Sequence, residues 1–245
     1  MTEILLCGVT VFLSFTLEVI TGFGGTVMAV SFVTALLGMH KGVVVLTLVA
    51  IIPQLSVVIR NFRKIDWRNY LIIVALMLPF LFVGRLLQTA ADTAVLKRIL
   101  ACFIIAVSVF RLVQYFNTRK KESQEEPGKV RWYSYLALVG AGVIHGMFSS
   151  GGPLAIIYAS SAVKEKDSFR STMCLLWVTL NTILVVSYLV DGSITADTAK
   201  TILYLLPFLV AGIIAGNVIV RRVNEKLFSL VVYICLLVTG IFMLL

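Results

Sequence analysis

The chain has 245 residues, of which 60% are hydrophobic and only 13% charged, and its mean hydropathy is +1.01. That is far more apolar than a soluble domain, so the composition points to an all-α polytopic membrane protein. The net charge of +9 is no sign of a nucleic-acid partner, because the basic residues fall in short stretches between apolar segments, where membrane topology places them.

Eight hydrophobic segments follow one another: Ile4 to Leu37, Gly42 to Ile59, Tyr70 to Leu87, Ile99 to Phe116, Tyr133 to Val163, Ser171 to Val190, Thr201 to Val220 and Leu227 to Leu245. The first has no basic residues ahead of it and is expected to stay as a membrane segment, not to be removed as a signal peptide. It is also too long. A single helix over its 34 residues would reach about 51 Å, well beyond the roughly 30 Å of hydrocarbon. The fifth segment has the same excess, and each holds a glycine-rich interruption near its middle. A helix–break–helix hairpin is expected for both, giving about ten helices in all.

The two interruptions are copies. Gly24-Gly25 becomes Gly151-Gly152 at an offset of 127, and the same offset takes Glu18 to His145 and Gln54 to Asn181. Leu78-Pro79-Phe80-Leu81 with Gly84 returns as Leu206-Pro207-Phe208-Leu209 with Gly212 at an offset of 128. The expected organisation is an N-terminal repeat over residues 1–116, a linker over 117–131 and a C-terminal repeat over 132–245. The linker is the one strongly polar stretch, with Pro127-Gly128 as a breaker.

Charge sets the expected topology. If both long segments return to the side they started from, Arg60, Arg63, Lys64, Arg68, the basic residues of the linker, Lys164, Lys166, Arg170, Arg221, Arg222 and Lys226 share the cytoplasmic side. Lys41, Arg85, Lys97, Arg98 and Lys200 remain outside, and both termini are periplasmic or extracellular. Each half then has an odd number of simple crossings, which inverts the repeats across the membrane plane. Arg60 and Arg111, near span ends, are expected to snorkel to the interface. Pro53, Pro79 and Pro207 mark kinks.

The hairpin tips are the candidate binding site. Tip one holds Gly22, Phe23, Gly24, Gly25 and Thr26. Tip two holds Ser149, Ser150, Gly151 and Gly152, followed by Pro153, which suits the first turn of a new helix. Two helix starts near mid-membrane would present free N–H groups and positive dipole ends to one anion. The alternative is that the glycines serve tight helix packing, the role expected for Gly142-xxx-Gly146 and Gly212-xxx-Gly216. Gln54 and Asn181 either donate to substrate oxygens or bridge helices. Glu18 and His145 are ionisable groups at membrane depth, hence candidates for proton coupling. Trp177 and Tyr158 either line the cavity or pack. No metal centre or cofactor is expected: the histidines are His40 and His145 alone, and Cys7, Cys102, Cys174 and Cys235 lie singly in apolar segments, as small packing residues.

The duplicated layout, with Gly22-Phe23-Gly24-Gly25 in one half and Gly146-Met147-Phe148-Ser149-Ser150-Gly151-Gly152-Pro153 in the other, resembles the TauE/SafE family, also called the sulfite exporter or TSUP family. Ser149-Ser150 stand where members of that family often have more glycine. The resemblance implies a secondary transporter, expected to export small sulfur-containing anions such as sulfite, sulfoacetate or other organosulfonates, in a bacterial inner membrane. The partners implied are that anion and the lipid bilayer, and nothing in the sequence sets an oligomeric state. The rival readings are an anion channel, an intramembrane enzyme using Glu18 and His145, and a structural subunit. No paired carboxylates or nucleophile–base spacing support an enzyme.

Overall fold

The computed structural model describes residues 2–21, 25–118, 130–219 and 225–244. Among them are ten α-helices and no strand. The first half comprises α1 (Thr2–Thr21), α2 (Gly25–Leu37), α3 (Met39–Asn61), α4 (Trp67–Ala90) and α5 (Thr93–Thr118), with a 3-10 turn at Phe62–Lys64. The second comprises α6 (Trp132–Phe148), α7 (Gly152–Ala162), α8 (Lys166–Val190), α9 (Ala196–Ile219) and α10 (Glu225–Leu244). Six of the described helices (α1, α3, α4, α5, α8 and α9) are long and apolar enough to cross a membrane, whereas α2 and α7 are short. The protein is an all-α polytopic membrane protein. The expected linker cations Arg119, Lys120, Lys121 and Lys129, and Arg221 and Arg222, lie outside the described residues.

Local chemistry explains the boundaries. Polar residues extend several helices beyond the apolar segments: α4 starts behind Asp66, whose side chain accepts from the Asn69 N–H at 3.0 Å. The chain turns at the end of α6 because Ser149 takes a left-handed backbone, φ 53°, and returns its N–H to the His145 carbonyl at 2.7 Å. Pro153 then sits in the first turn of α7. Both expected hairpins are present. The start of α2 lies on the last turns of α1, and Thr26 Oγ1 donates to Glu18 at 3.0 Å; α7 lies on α6 in the same way.

The packing repeats with the sequence. The α4–α6 seam is matched by α9–α1, α4–α8 by α9–α3, and α2–α3 by α7–α8, while the α3–α8 and α5–α10 pairs map onto themselves. Ion pairs fix the directions. Lys41 at the start of α3 binds Asp197 at the start of α9, and Lys64 just past the end of α3 binds Asp167 at the start of α8. Helices α3 and α8, equivalent in the repeats, therefore run antiparallel. The two parallel seams, α4–α6 and α1–α9, are closed by glycine. A Cβ on Gly146 would lie 2.1 Å from the Leu81 carbonyl oxygen, and one on Gly212 would lie 2.7 Å from that of Phe12. This close backbone approach, expected for both GxxxG stretches, supplies the van der Waals contact that holds helices together in lipid. Pro53, Pro79 and Pro207 lie inside α3, α4 and α9. Of the cysteines, Cys7 and Cys174 are buried, but Cys102 is exposed on α5 and does not pack between helices.

Candidate functional site

The α3–α8 pair brings the two mid-span amides together. Asn181 Nδ2 donates to Gln54 Oε1 at 3.3 Å, and the two residues are 127 apart, the repeat offset. A contact between equivalent residues of two repeats lies on the axis that relates them. Gln54 Nε2 reaches on to Glu18 at 3.4 Å. On the other side, Asn181 adjoins His145, the repeat partner of Glu18. The line Glu18–Gln54–Asn181–His145 thus runs through the centre of the molecule, with one ionisable group at each end.

The hairpin tips enclose this line. Glu18, Thr26, Gln54, His145, Ser149, Ser150, Gly152 and Asn181 surround one cavity of about 20 Å³, with Val27 and Trp177 as its apolar wall. That is room for about one water molecule. The starts of α2 and α7 both border it through Thr26 and Gly152. Gly22, Phe23 and Gly24 lie outside the described residues.

His145 is oriented by the second tip. Its Nδ1 accepts from the Gly151 N–H at 3.4 Å, which leaves Nε2 as the ring's donor. The Nε2 atom is buried without a hydrogen-bond partner, as is Asn181 Oδ1. The imidazole stacks on Trp177, with centroids 5.1 Å apart. Trp177 therefore lines the site, whereas Tyr158 packs in the core and donates to Asn69 at 3.0 Å.

The tip glycines match with a slip of one. A Cβ on Gly25 would lie 2.2 Å from the Ser14 carbonyl oxygen and 2.7 Å from the Glu18 Cβ; one on Gly151 would lie 2.4 Å from the Ala141 carbonyl oxygen and 2.9 Å from the His145 Cβ. Ser14 and Ala141, like Glu18 and His145, are repeat partners. The structural counterpart of Gly25 is thus Gly151, not Gly152 as the sequence alignment has it. A Cβ on Gly152 meets only Trp177, at 3.8 Å.

A second, larger cavity, about 190 Å³, leads from the end of α3 and the first turns of α8 to the same centre. Glu18, Gln54 and Trp177 belong to both cavities. Arg60, Asn61 and Arg170 stand around the outer part of this vestibule. The sequence reading gave Arg60 only a snorkelling role and gave Arg170 none beyond topology. Their spacing in the chain carries no hint that α3 and α8 set them side by side. No group of three potential metal ligands is present among the described residues.

Paired short hairpins, inverted seams and a polar centre are the layout of inverted-repeat membrane transporters. Residues 6–243 match the family described as Sulfite exporter TauE/SafE, and the chain belongs to that family. No curated protein and no solved structure matches it. Membership makes the protein a membrane transporter of the sulfite exporter kind.

Proposed function

We propose that the protein is an alternating-access carrier that exports a small sulfur oxyanion or organosulfonate across a bacterial inner membrane, with both termini on the periplasmic side. The observation that carries this reading is the convergence of both hairpin tips and the Gln54–Asn181 pair on one enclosed polar cavity on the repeat axis. The anion approaches through the vestibule, drawn by Arg60 and Arg170. It binds when the tips part, held by the N–H groups at the starts of α2 and α7, the hydroxyls of Thr26, Ser149 and Ser150, and His145 Nε2–H. The amides of Gln54 and Asn181 bridge the repeats and orient these donors.

An anion cannot settle beside an ionised Glu18 at low cost. We assign Glu18 as the group that takes up a proton when the anion binds, because it faces both cavities. His145 is less suited to that role, since its second nitrogen is already engaged by Gly151. Flux in Glu18→Gln is expected to become independent of pH between about 5 and 8, whereas His145→Gln lowers flux about tenfold or more and keeps the wild-type pH profile. Persistence of the wild-type pH profile in Glu18→Gln excludes Glu18 as the coupling site.

The test of the carrier is counterflow in proteoliposomes with sulfite, sulfate, sulfoacetate, taurine, thiosulfate and acetate. Saturable exchange of one sulfur anion supports the reading. Unsaturable conductive flux makes the protein a channel, and absence of flux of every anion in folded protein removes the anion site.

A further inference from the structure

The vestibule occupies one face of the molecule, and the repeats allow the matching region of the opposite face to be located. Arg60, Asn61, Cys174 and Trp177 correspond at the 127 offset to Ser187, Tyr188, Thr47 and Ala50, and Ile213 corresponds at 128 to Arg85. The first set lines the vestibule: Arg60 is exposed, Asn61 and Ile213 are half-buried, and Cys174 and Trp177 form its nearly buried inner wall. In the second set, Thr47, Ala50 and Tyr188 are completely buried and Arg85 is 8% exposed. The same architecture is open at one end and filled at the other.

What fills it is a connected plug. The Arg85 guanidinium lies 4.5 Å over the Tyr188 ring. Its Nε donates to Ser187 Oγ at 3.1 Å, and its remaining nitrogens bond to Gln88 on its own helix and to Asp191 just past α8. The Tyr188 hydroxyl is buried beside those of Thr47 and Ser149 with no hydrogen bond of its own, and those two hydroxyls are 2.5 Å apart. Packed side chains, with Tyr188 between them, therefore fill the space from the Arg85–Asp191 ion pair to Ser149 at hairpin tip two. At the equivalent positions of the open face, Asn61 replaces the tyrosine, Ile213 the arginine and Lys64 the aspartate, so no equivalent plug can form there.

We propose that Arg85, Tyr188 and Asp191 are the gate of a second vestibule, with the Arg85–Asp191 ion pair as its latch. When the pair opens, Tyr188 withdraws and a cavity matching the present one forms on the opposite face. Arg85 then becomes its anion-attracting cation, the counterpart of Arg60 and Arg170. Holding the latch closed is favourable because a nearly buried guanidinium without a partner is costly. This gate rests on the carrier reading for the identity of the central site, but its state can be read without flux.

The reporters are Cys174, in the open vestibule, and Thr47→Cys, its repeat partner, each as the sole cysteine of the full chain in sealed vesicles. A small membrane-impermeant thiosulfonate is added to either side. With the latch intact, Cys174 reacts from one side and Thr47→Cys is protected. Adding Asp191→Asn is expected to raise the Thr47→Cys rate about tenfold from the opposite side and to slow Cys174, as a shift between two states requires. The charge swap Arg85→Asp with Asp191→Arg returns both rates toward the starting values. Tyr188→Ala, which empties the plug and keeps the ion pair, also exposes Thr47→Cys, and it serves if Asp191→Asn does not fold. Unchanged labelling of Thr47→Cys in folded Asp191→Asn or Tyr188→Ala protein overturns the gate. So does equal labelling before either change. A labelling shift without flux of any anion leaves the gate and removes the carrier, whereas sulfur-anion flux without a labelling shift does the reverse.

Discussion

At the scale of single residues, small side chains decide where helices can touch. Gly146 and Gly140 lie on the same helix, α6, and differ in what surrounds them. An added methyl at 146 collides with the Leu81 carbonyl at 2.1 Å, backbone that cannot rotate away. At 140 it meets one flexible Leu154 methyl at 3.4 Å. Gly146→Ala is therefore expected to destabilise by about 1–3 kcal/mol or more through overpacking. Gly140→Ala is neutral or slightly stabilising, since alanine is the better helix former by up to about 1 kcal/mol. Thermal melts of the two variants in one detergent check this, and equal melting temperatures refute the seam argument. Residue-level chemistry was only partly legible in the sequence. Glu18, His145, Gln54 and Asn181 stood out because polar groups in apolar spans are expensive and therefore purposeful. Arg85 did not, because a lone cation two residues before the end of the apolar segment Tyr70 to Leu87 reads as an interface residue. Its burial depends on Asp191 and Tyr188 arriving from another helix.

At the scale of elements, the excess length of two apolar segments announced the hairpins, since hydrocarbon thickness is a ruler any sequence can be held against. The direction of the repeats was legible for the same kind of reason: basic loops obey a one-sided rule. The register at the tips was not legible. Two adjacent glycines in each half permit two alignments, and only close contact with the preceding helix selects Gly25 and Gly151 as the matching pair. The functional consequence is specific. Gly25→Ala and Gly151→Ala each force α2 or α7 away from Glu18 or His145, and flux is expected to fall by about a hundredfold, as when donors are displaced by about 1 Å. Gly152→Ala, with its nearest neighbour at 3.8 Å, is expected to stay within about threefold of wild type. Uptake by vesicles normalised for folded protein decides between the two registers, and a severe loss confined to Gly152→Ala would restore the sequence alignment.

At the scale of the molecule, three ion pairs among the described residues tie distant parts of the chain, and they differ in burial. Lys41–Asp197 and Lys64–Asp167 are solvated at the membrane faces, with their aspartate side chains 75% and 58% exposed. Screening makes such pairs weak, so Asp197→Ala and Asp167→Ala are expected to leave the melting temperature unchanged. Arg85–Asp191 joins α4 to the end of α8, with the arginine side chain 9% exposed and the aspartate 36%. Burial pushes the Asp191 carboxyl up, but the Ser193 hydroxyl and N–H and the Arg85 charge outweigh it, and its pKa lies below the ordinary value of 3.8. A carboxyl whose pKa is lower in the folded state binds fewer protons there than when unfolded. Its contribution is complete above the ordinary value and is lost as pH falls below that value through the folded one. The α4–α8 junction, and with it the closed face, should therefore loosen in acid. Melting temperatures of purified protein between pH 6 and 3 are expected to fall more steeply in wild type than in Asp191→Asn, and the difference should appear only below about pH 4. Parallel curves over that range would mean that the pair does not hold the two repeats together.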